Sequence, residues 1–217
     1  VTENKEIFNQ IAPSWYNFRH WSIFRTELEA LAERWQKGRL LNLGCAHGPD
    51  FLPFKDGFEL YGVDFSAGML KFAEKYAQKF SFSVELTLAD VRRLPYPDAS
   101  FDRAIAVATY HHLVGGQHEA ALKELRRVLK PGGEAFITVW NRGQPRFWFK
   151  PKEVAVPWRR NKGETLYRRY YLFSYGELEG LVERAGFVVV KSFPESAYRF
   201  PLKHFSRNIC LLLKRED

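Results

Sequence analysis

Two stretches of the chain carry residue types at a spacing suited to holding a nucleoside. Leu40-Leu41-Asn42-Leu43-Gly44-Cys45-Ala46-His47-Gly48 begins as an apolar run. It ends in a turn where Gly44, Ala46 and Gly48 add almost no side-chain bulk, so a ligand can approach the backbone closely. Sixteen residues beyond Gly48, after the apolar run Leu60-Tyr61-Gly62-Val63, stands Asp64. A carboxylate there can accept hydrogen bonds from two neighbouring ribose hydroxyls. A dinucleotide site would call for G-x-G-x-x-G opening a helix whose N-terminus holds a pyrophosphate. Here the pattern is G-x-A-x-G, Pro49 stands beside the last glycine, and ten residues separate Gly48 from the next strand. The expected ligand is therefore a nucleoside without phosphates, as S-adenosylmethionine is.

Three further groups bear chemistry. Asp90, in Ala89-Asp90-Val91, stands where a third strand ends and can accept from an adenine amino group, although an aspartate there serves equally as a turn or helix-capping residue. Thr109-Tyr110-His111-His112-Leu113 follows the fourth strand, and Ala108 closes that strand beside the same cleft. His111 and His112 offer a base for a nitrogen or hydroxyl acceptor, or one positioning and one packing residue. Arg19, Arg168, Arg169 and Arg207 are candidates for holding an anionic acceptor, arginine being suited to bidentate carboxylate binding.

These residues need a scaffold that brings strand ends together. The chain has 217 residues, 46% of them hydrophobic, enough for one domain over 1–217. A helical segment over about 1–36 covers the cofactor loop, its second half marked by Phe24, Leu28, Leu31 and Trp35 on one face and ended by Gly38. Helices are expected over 67–80 (Met69, Phe72, Ala73, Tyr76 and Phe80 inward), over 117–129, and after the capping box Ser174-Tyr175-Gly176-Glu177. They alternate with strands near 40–43, 60–63, 83–89, 102–108, 135–140, 187–190 and 209–213. Lys130-Pro131-Gly132-Gly133 is expected to be a stop and tight turn. This alternation implies parallel strands with right-handed crossovers.

No run of about 18 apolar residues occurs and no leader-like segment opens the sequence, so a soluble, cytoplasmic protein is expected, with no membrane contact. Cys45 and Cys210 are too few for a disulfide scaffold and lack metal-ligand spacing, so no metal is expected; Cys45 is expected beneath the cofactor loop. The net charge of +8 is concentrated. Arg142, Arg146, Lys150, Lys152, Arg159, Arg160, Lys162, Arg168 and Arg169 face only Glu153 and Glu164, and Phe147, Trp148, Phe149, Trp158 and Tyr167 lie among them. A basic aromatic insertion over about 141–173 suits phosphates and unstacked bases; its bland alternative is an aromatic core with solvated charges.

Leu43 to Gly48, Gly62-Val63-Asp64-Phe65-Ser66, Met69-Leu70, Leu94 to Asp102, and Arg127-Val128-Leu129-Lys130-Pro131-Gly132-Gly133 together resemble the class I S-adenosylmethionine-dependent methyltransferases. The resemblance implies an α/β, Rossmann-like, three-layer fold of seven strands, the last antiparallel and inserted between strands five and six. It also implies a cofactor site at Gly44, Cys45, Ala46, Gly48, Asp64, Phe65, Ser66, Met69, Asp90, Val91 and Ala108. A narrower resemblance covers Ile11-Ala12, Phe18-Arg19, His111-His112-Leu113, Val139-Trp140, Pro157-Trp158, Arg168 to Phe173, Gly176-Glu177-Leu178 and Arg207-Asn208-Ile209-Cys210. These look like the eukaryotic and archaeal tRNA methyltransferases that esterify a carboxymethyl group on the wobble uridine of the anticodon. That family departs from this chain at Asn42 (usually Asp), Ala46 (Gly) and Tyr171 (often His). The resemblance implies a heterodimer with a small zinc-binding activator protein on the third-strand edge, at Val84, Leu86 and Leu88. Two other readings stay open: a small-molecule methyltransferase of a quinone or phenol with 141–173 as lid, and a methyltransferase-like RNA-binding subunit of weak catalysis.

Overall fold

The apolar runs of the chain become the strands of one sheet, in a computed structural model that describes residues 2–159 and 163–217; Arg160 and Lys162 of the basic segment lie outside the described residues. Strands β1 (Gly38–Leu43), β2 (Phe58–Asp64), β3 (Glu85–Leu88), β4 (Phe101–Val107) and β5 (Leu129–Trp140) run parallel. A separate antiparallel hairpin follows, β6 (Glu153–Arg159) with β7 (Thr165–Tyr171). Then β8 (Phe187–Pro194) and β9 (Asn208–Arg215) complete the main sheet, whose order is β3-β2-β1-β4-β5-β9-β8. β9 is antiparallel to both neighbours, so the last strand is inserted between the fifth and sixth strands of the sheet, as the first resemblance implies.

Helices α1 (Thr2–Phe18), α2 (Arg25–Trp35), α3 (Ala67–Lys79), α4 (His118–Val128) and α5 (Tyr175–Arg184) cover the sheet. Side chains alternate across β1: Leu41 and Leu43 join Leu122, Leu125, Leu178 and Val182 of α4 and α5 on one face. Leu40 joins Leu28, Leu31 and Trp35 of α2 on the other. A third cluster places Ile7, Phe8, Ile11 and Ala12 of α1 over Met69 of α3, which lays α1 across the cofactor loop. Ser174 caps α5, its Oγ accepting from the Glu177 amide as the capping box predicts.

The structure corrects four sequence expectations. Helix α2 is stopped by Gln36, which turns the chain at φ 62° and ψ −51° with Lys37 N–H donating to the Trp35 carbonyl, and Gly38 instead opens β1, where a Cβ would lie 3.0 Å from Asp102. Lys130 to Gly133 follows directly on the end of α4 at Val128 and turns at Gly132 (φ 75°) as expected, but the turn lies inside β5: Phe101 pairs with Leu129 and Arg103 with Glu134, so the four residues bulge out and the ladder resumes. The 141–173 segment contains the β6–β7 hairpin, for which no strand is expected from its charge-rich pattern. Finally, β3 is an edge strand, but Val84 precedes it, and Val84 and Leu86 pack against the α2 layer; of the three apolar edge candidates only Leu88, 53% exposed, faces outward.

Candidate cofactor and acceptor site

The carboxyl ends of β1, β2 and β4 converge with the segment after β3 on one cavity, the place where open α/β sheets bind ligands. The loop after β1 is fastened to β2 by Gly44 N–H and Cys45 N–H, which both donate to the Val63 carbonyl (2.7 and 3.0 Å). Ala46 is held at φ 48°, a conformation that disfavours a side chain, and its N–H donates to Asp64 Oδ2 at 2.9 Å. The other carboxylate oxygen of Asp64 accepts from Ser66 N–H, also at 2.9 Å. Asp64 is thus a buried staple across the loop; burial pushes its pKa up to about 6 despite these backbone donors.

Gly44 has φ 67°, and a Cβ there would lie 2.5 Å from Oγ1 and Cγ2 of Thr109, whose hydroxyl donates to the Leu43 carbonyl. Gly44→Ala is therefore expected to cost about 2–5 kcal/mol by combining backbone strain with overpacking. Chemical denaturation checks this, and Gly44→Ala/Thr109→Gly should recover part of the loss.

Gly44, Ala46, Asp64, Phe65, Asp90, Val91 and Ala108 line the cavity. Cys45, Gly48, Ser66 and Met69 do not, and each has a visible supporting place. Cys45 is fully buried under the loop, its thiol pushed up by burial and the nearby Asp64 and Asp50 carboxyls. Gly48, at φ 87°, opens the 3-10 turn Pro49–Phe54. Ser66 caps α3 and donates to Asn9 Oδ1 of α1, while Met69 is packed beneath α1. Asp90 is gripped by Arg92 at 2.6 Å; burial alone would raise its pKa, and the Arg92 guanidinium and amide outweigh that and hold it low.

Asn4, Phe8, Thr109 and Leu113 also line the cavity, and sequence reasoning assigned them no site. Asn4 had no local signal: its role arises from contacts far along the chain. Its Nδ2 donates to the carbonyls of His112 and Arg169 (3.2 and 3.1 Å), and its Oδ1 accepts from Arg169 N–H at 2.9 Å.

The two histidines separate. His112 stands on the cavity wall, its ring against Phe8 (4.8 Å) and Tyr170 (4.5 Å), with its pKa lowered to about 3 by burial and by the Arg168 charge. His111 turns away, stacks on Tyr170 at 4.7 Å and accepts from Trp140 N–H through Nδ1. The four arginines separate too. Arg168 is buried at 6% exposure among the rings of Trp15, Trp158 and Tyr170, donates to the Tyr170 hydroxyl at 2.9 Å, and has its pKa lowered by burial and by Arg19. Arg19 lies over Trp15, and its carbonyl meets Nε2 of buried His47 at 2.5 Å. Burial brings His47 down to about 4, so its ring is neutral and donates from Nε2. Arg169 and Arg207 are exposed and stand apart from this pair.

Among the described residues neither Arg19 nor Arg168 has a carboxylate in ion-pair contact, and the Nε atoms of both are buried without a hydrogen-bond partner. The arrangement is a cavity at the strand ends bordered by a neutral imidazole, with the Arg168 guanidinium close enough to lower that imidazole's pKa and Arg19 beside Arg168 on the Trp15 ring. Residues 41–137 match the family model of a methyltransferase domain.

Over this stretch, which runs from β1 through most of β5, the chain is similar to a methyltransferase domain.

The residues on the cavity fit S-adenosylmethionine: a bulk-free turn at Gly44, the stapled Asp64, and apolar walls at Phe65, Val91 and Leu113. Over 137 residues the chain is 32% identical to the tRNA (carboxymethyluridine(34)-5-O)-methyltransferase of Arabidopsis thaliana, covering 62% of this chain and 31% of that protein. It is 28% identical over 209 residues to the demethylmenaquinone methyltransferase of Thermus thermophilus, covering 90% of this chain and 84% of that one. A methyltransferase solved in complex with the Haloferax volcanii Trm112 methyltransferase activator shares the fold, with TM-score 0.74 at 16% identity over 99% of this chain and 98% of that chain. The chain spans about half, or less, of the length of the first curated relatives that it matches. No described helix is long and apolar enough to cross a membrane.

Proposed function

We propose that this protein methylates the carboxylate of a carboxymethyl-type modification on the wobble uridine of tRNA. The observation that supports this most is Arg168, a cation held beside His112 with Arg19 next to it on the Trp15 ring, neither having a carboxylate contact among the described residues. A buried guanidinium without an anion is costly, and an anionic acceptor would complete it. S-adenosylmethionine supplies an electrophilic methyl group on a good, neutral leaving group. The cofactor would lie against Gly44, Ala46, Asp64, Phe65, Asp90, Val91 and Ala108, with Asp64 accepting from the ribose hydroxyls. A carboxylate acceptor is ionised at neutral pH and needs no general base. What remains for the chain is alignment, which reaches about 7–11 kcal/mol in favourable cases. Arg168 and Arg19 would hold the acceptor, and His112, neutral, would wall the cavity. A cytoplasmic location and a small zinc-binding activator against the β3 edge at Leu88 belong to the same reading.

The test is mass spectrometry of tRNA nucleosides after incubation with protein, S-adenosylmethionine and candidate activator. A methyl ester on uridine supports the reading, and its absence with an activator-bound, cofactor-binding protein sinks it. The demethylmenaquinone relative and the ring-lined roof of Trp15 and Trp158 (5.1 Å apart) favour a second reading, a phenolic acceptor. Its chemistry differs in proton demand. Esterification should have a flat rate profile from pH 6.5 to 9, because His112 is neutral throughout; a phenol should react faster as pH rises towards its own pKa. Single-turnover rates across that range separate the two.

A further inference from the structure

The start of the basic insertion and the loop before β9 are joined by contacts between residues more than sixty positions apart in sequence, and they form one surface. Asn141 Nδ2 donates to the carbonyls of His204 (2.8 Å) and Ser206 (2.9 Å), and Asn141 N–H and Gln144 Nε2 both donate to the Arg207 carbonyl at 2.9 Å. The two segments press together so closely at Gly143 that any Cβ there would overlap the His204 carbonyl. On this frame stand Trp148 (54% exposed), Phe200 (57%) and Phe205 (37%), with Trp148 and Phe200 each about 6 Å from Phe205, and Phe149, next to Trp148, is 97% exposed. The rings meet at 55° and 63°, so they are not stacked on one another. Stretches 142–150 and 198–207 hold six Lys or Arg and no Asp or Glu.

Isolated exposed aromatics need no explanation, whereas a cluster set among cations does. The cluster is also continuous with the site. Arg146 lies over Trp140 and Phe147 (4.8 and 4.5 Å), Trp140 packs on Tyr170 at 4.4 Å, and Tyr170 packs on His112 at the cavity wall. We infer that this surface is a stacking platform for unpaired nucleotides of a single-stranded RNA segment, those flanking the nucleotide that enters the site. Each base offers a flat face to a ring, and its phosphates meet Arg142, Lys150 and Arg207, a combination that tolerates any sequence. The inference rests on the reading of RNA as substrate and adds where its unpaired strand runs.

The experiment is fluorescence anisotropy of the full chain with a labelled uridine-rich 12-nucleotide RNA at 50 and 200 mM salt. It compares Phe149→Ala, Phe200→Ala and Lys150→Ala, with thermal stabilisation by S-adenosylmethionine measured in parallel. Affinity should fall on the order of 10-fold for each ring removed. Lys150→Ala should flatten the salt dependence, and the stabilisation by S-adenosylmethionine should be unchanged in all three variants. Binding by the parent protein that ignores both ring removals overturns the platform while leaving the tRNA reading to the nucleoside assay. No RNA binding, or displacement of RNA by an acidic peptide at lower concentration than by unlabelled RNA, overturns it as well. A missing methyl ester with intact, ring-dependent RNA binding would strike the proposed reaction instead.

Discussion

Asp64→Asn should raise the dissociation constant for S-adenosylmethionine by about 100-fold or more, measured by calorimetry, while keeping the fold. The two carboxylate oxygens accept from Ala46 N–H and Ser66 N–H, each at 2.9 Å. An asparagine is isosteric but has one acceptor oxygen; its amide group would present a donor to one of those donors. Hydrogen bonds to a charged group are worth about 1.5–3 kcal/mol each, so loosening the staple and weakening the ribose contact together exceed a hundredfold. The carboxyl pKa of about 6 adds a test of sign. This value lies above the usual carboxylate range, so the folded chain binds more protons at Asp64 than the unfolded chain does between about pH 4 and 6. Asp64 therefore contributes more to stability as pH falls through 6. Cofactor affinity runs the opposite way, because the ribose hydroxyls need the ionised carboxylate. The parent protein should bind S-adenosylmethionine more weakly at pH 5.5 than at 7.5, and Asp64→Asn should lose this dependence. A dissociation constant within twofold of the parent would remove Asp64 from the cofactor site.

Those residues were legible because the loop and the acid lie in one local pattern at the ends of two adjacent parallel strands. An apolar run, a bulk-free turn and an acid after the next apolar run need no knowledge of distant packing. The inserted last strand was equally accessible once the motifs were matched in order. What the chain hid is long-range. Asn4 gains its place only because α1 folds over β7 and the segment after β4. The His111 and His112 pair could not be separated by type or spacing: adjacent residues in the short 3-10 turn after β4 point in different directions, one into the cavity and one onto Tyr170. Likewise Arg168 and Arg169 are neighbours on a strand, whose side chains alternate faces, so one is buried against α1 and the other exposed. The β6–β7 hairpin was harder to read because Pro157 interrupts the alternation of Val154, Val156 and Trp158 on β6, and a charged residue, Arg168, stands between Leu166 and Tyr170 on the inward face of β7.

Arg168→Met should leave the protein as stable as the parent or raise stability by about 1–2 kcal/mol, and should reduce methyl transfer by about 100-fold or more. The stability arm follows from the surroundings. The guanidinium is 6% exposed, its Nε has no partner, and no carboxylate contacts it among the described residues. Its compensation is one hydrogen bond to Tyr170 and the faces of three rings, worth about 0.5–2 kcal/mol per ring contact. Methionine keeps the unbranched stem between those rings and removes both the desolvated charge and its repulsion with Arg19, a replacement that is often neutral or favourable. The activity arm follows from the proposed role, since an anionic acceptor would lose its buried cation at the moment of alignment. Lysine is the sharper control: Arg168→Lys keeps the charge but not the planar fork, so it should retain cation-dependent binding and lose the oriented part of the rate. A variant that unfolds on losing Arg168 would assign the residue to structure. A stable Arg168→Met protein with unimpaired turnover would place the acceptor elsewhere. Stability retained with turnover lost is the outcome expected if this cation is kept in the core for a substrate rather than for the fold.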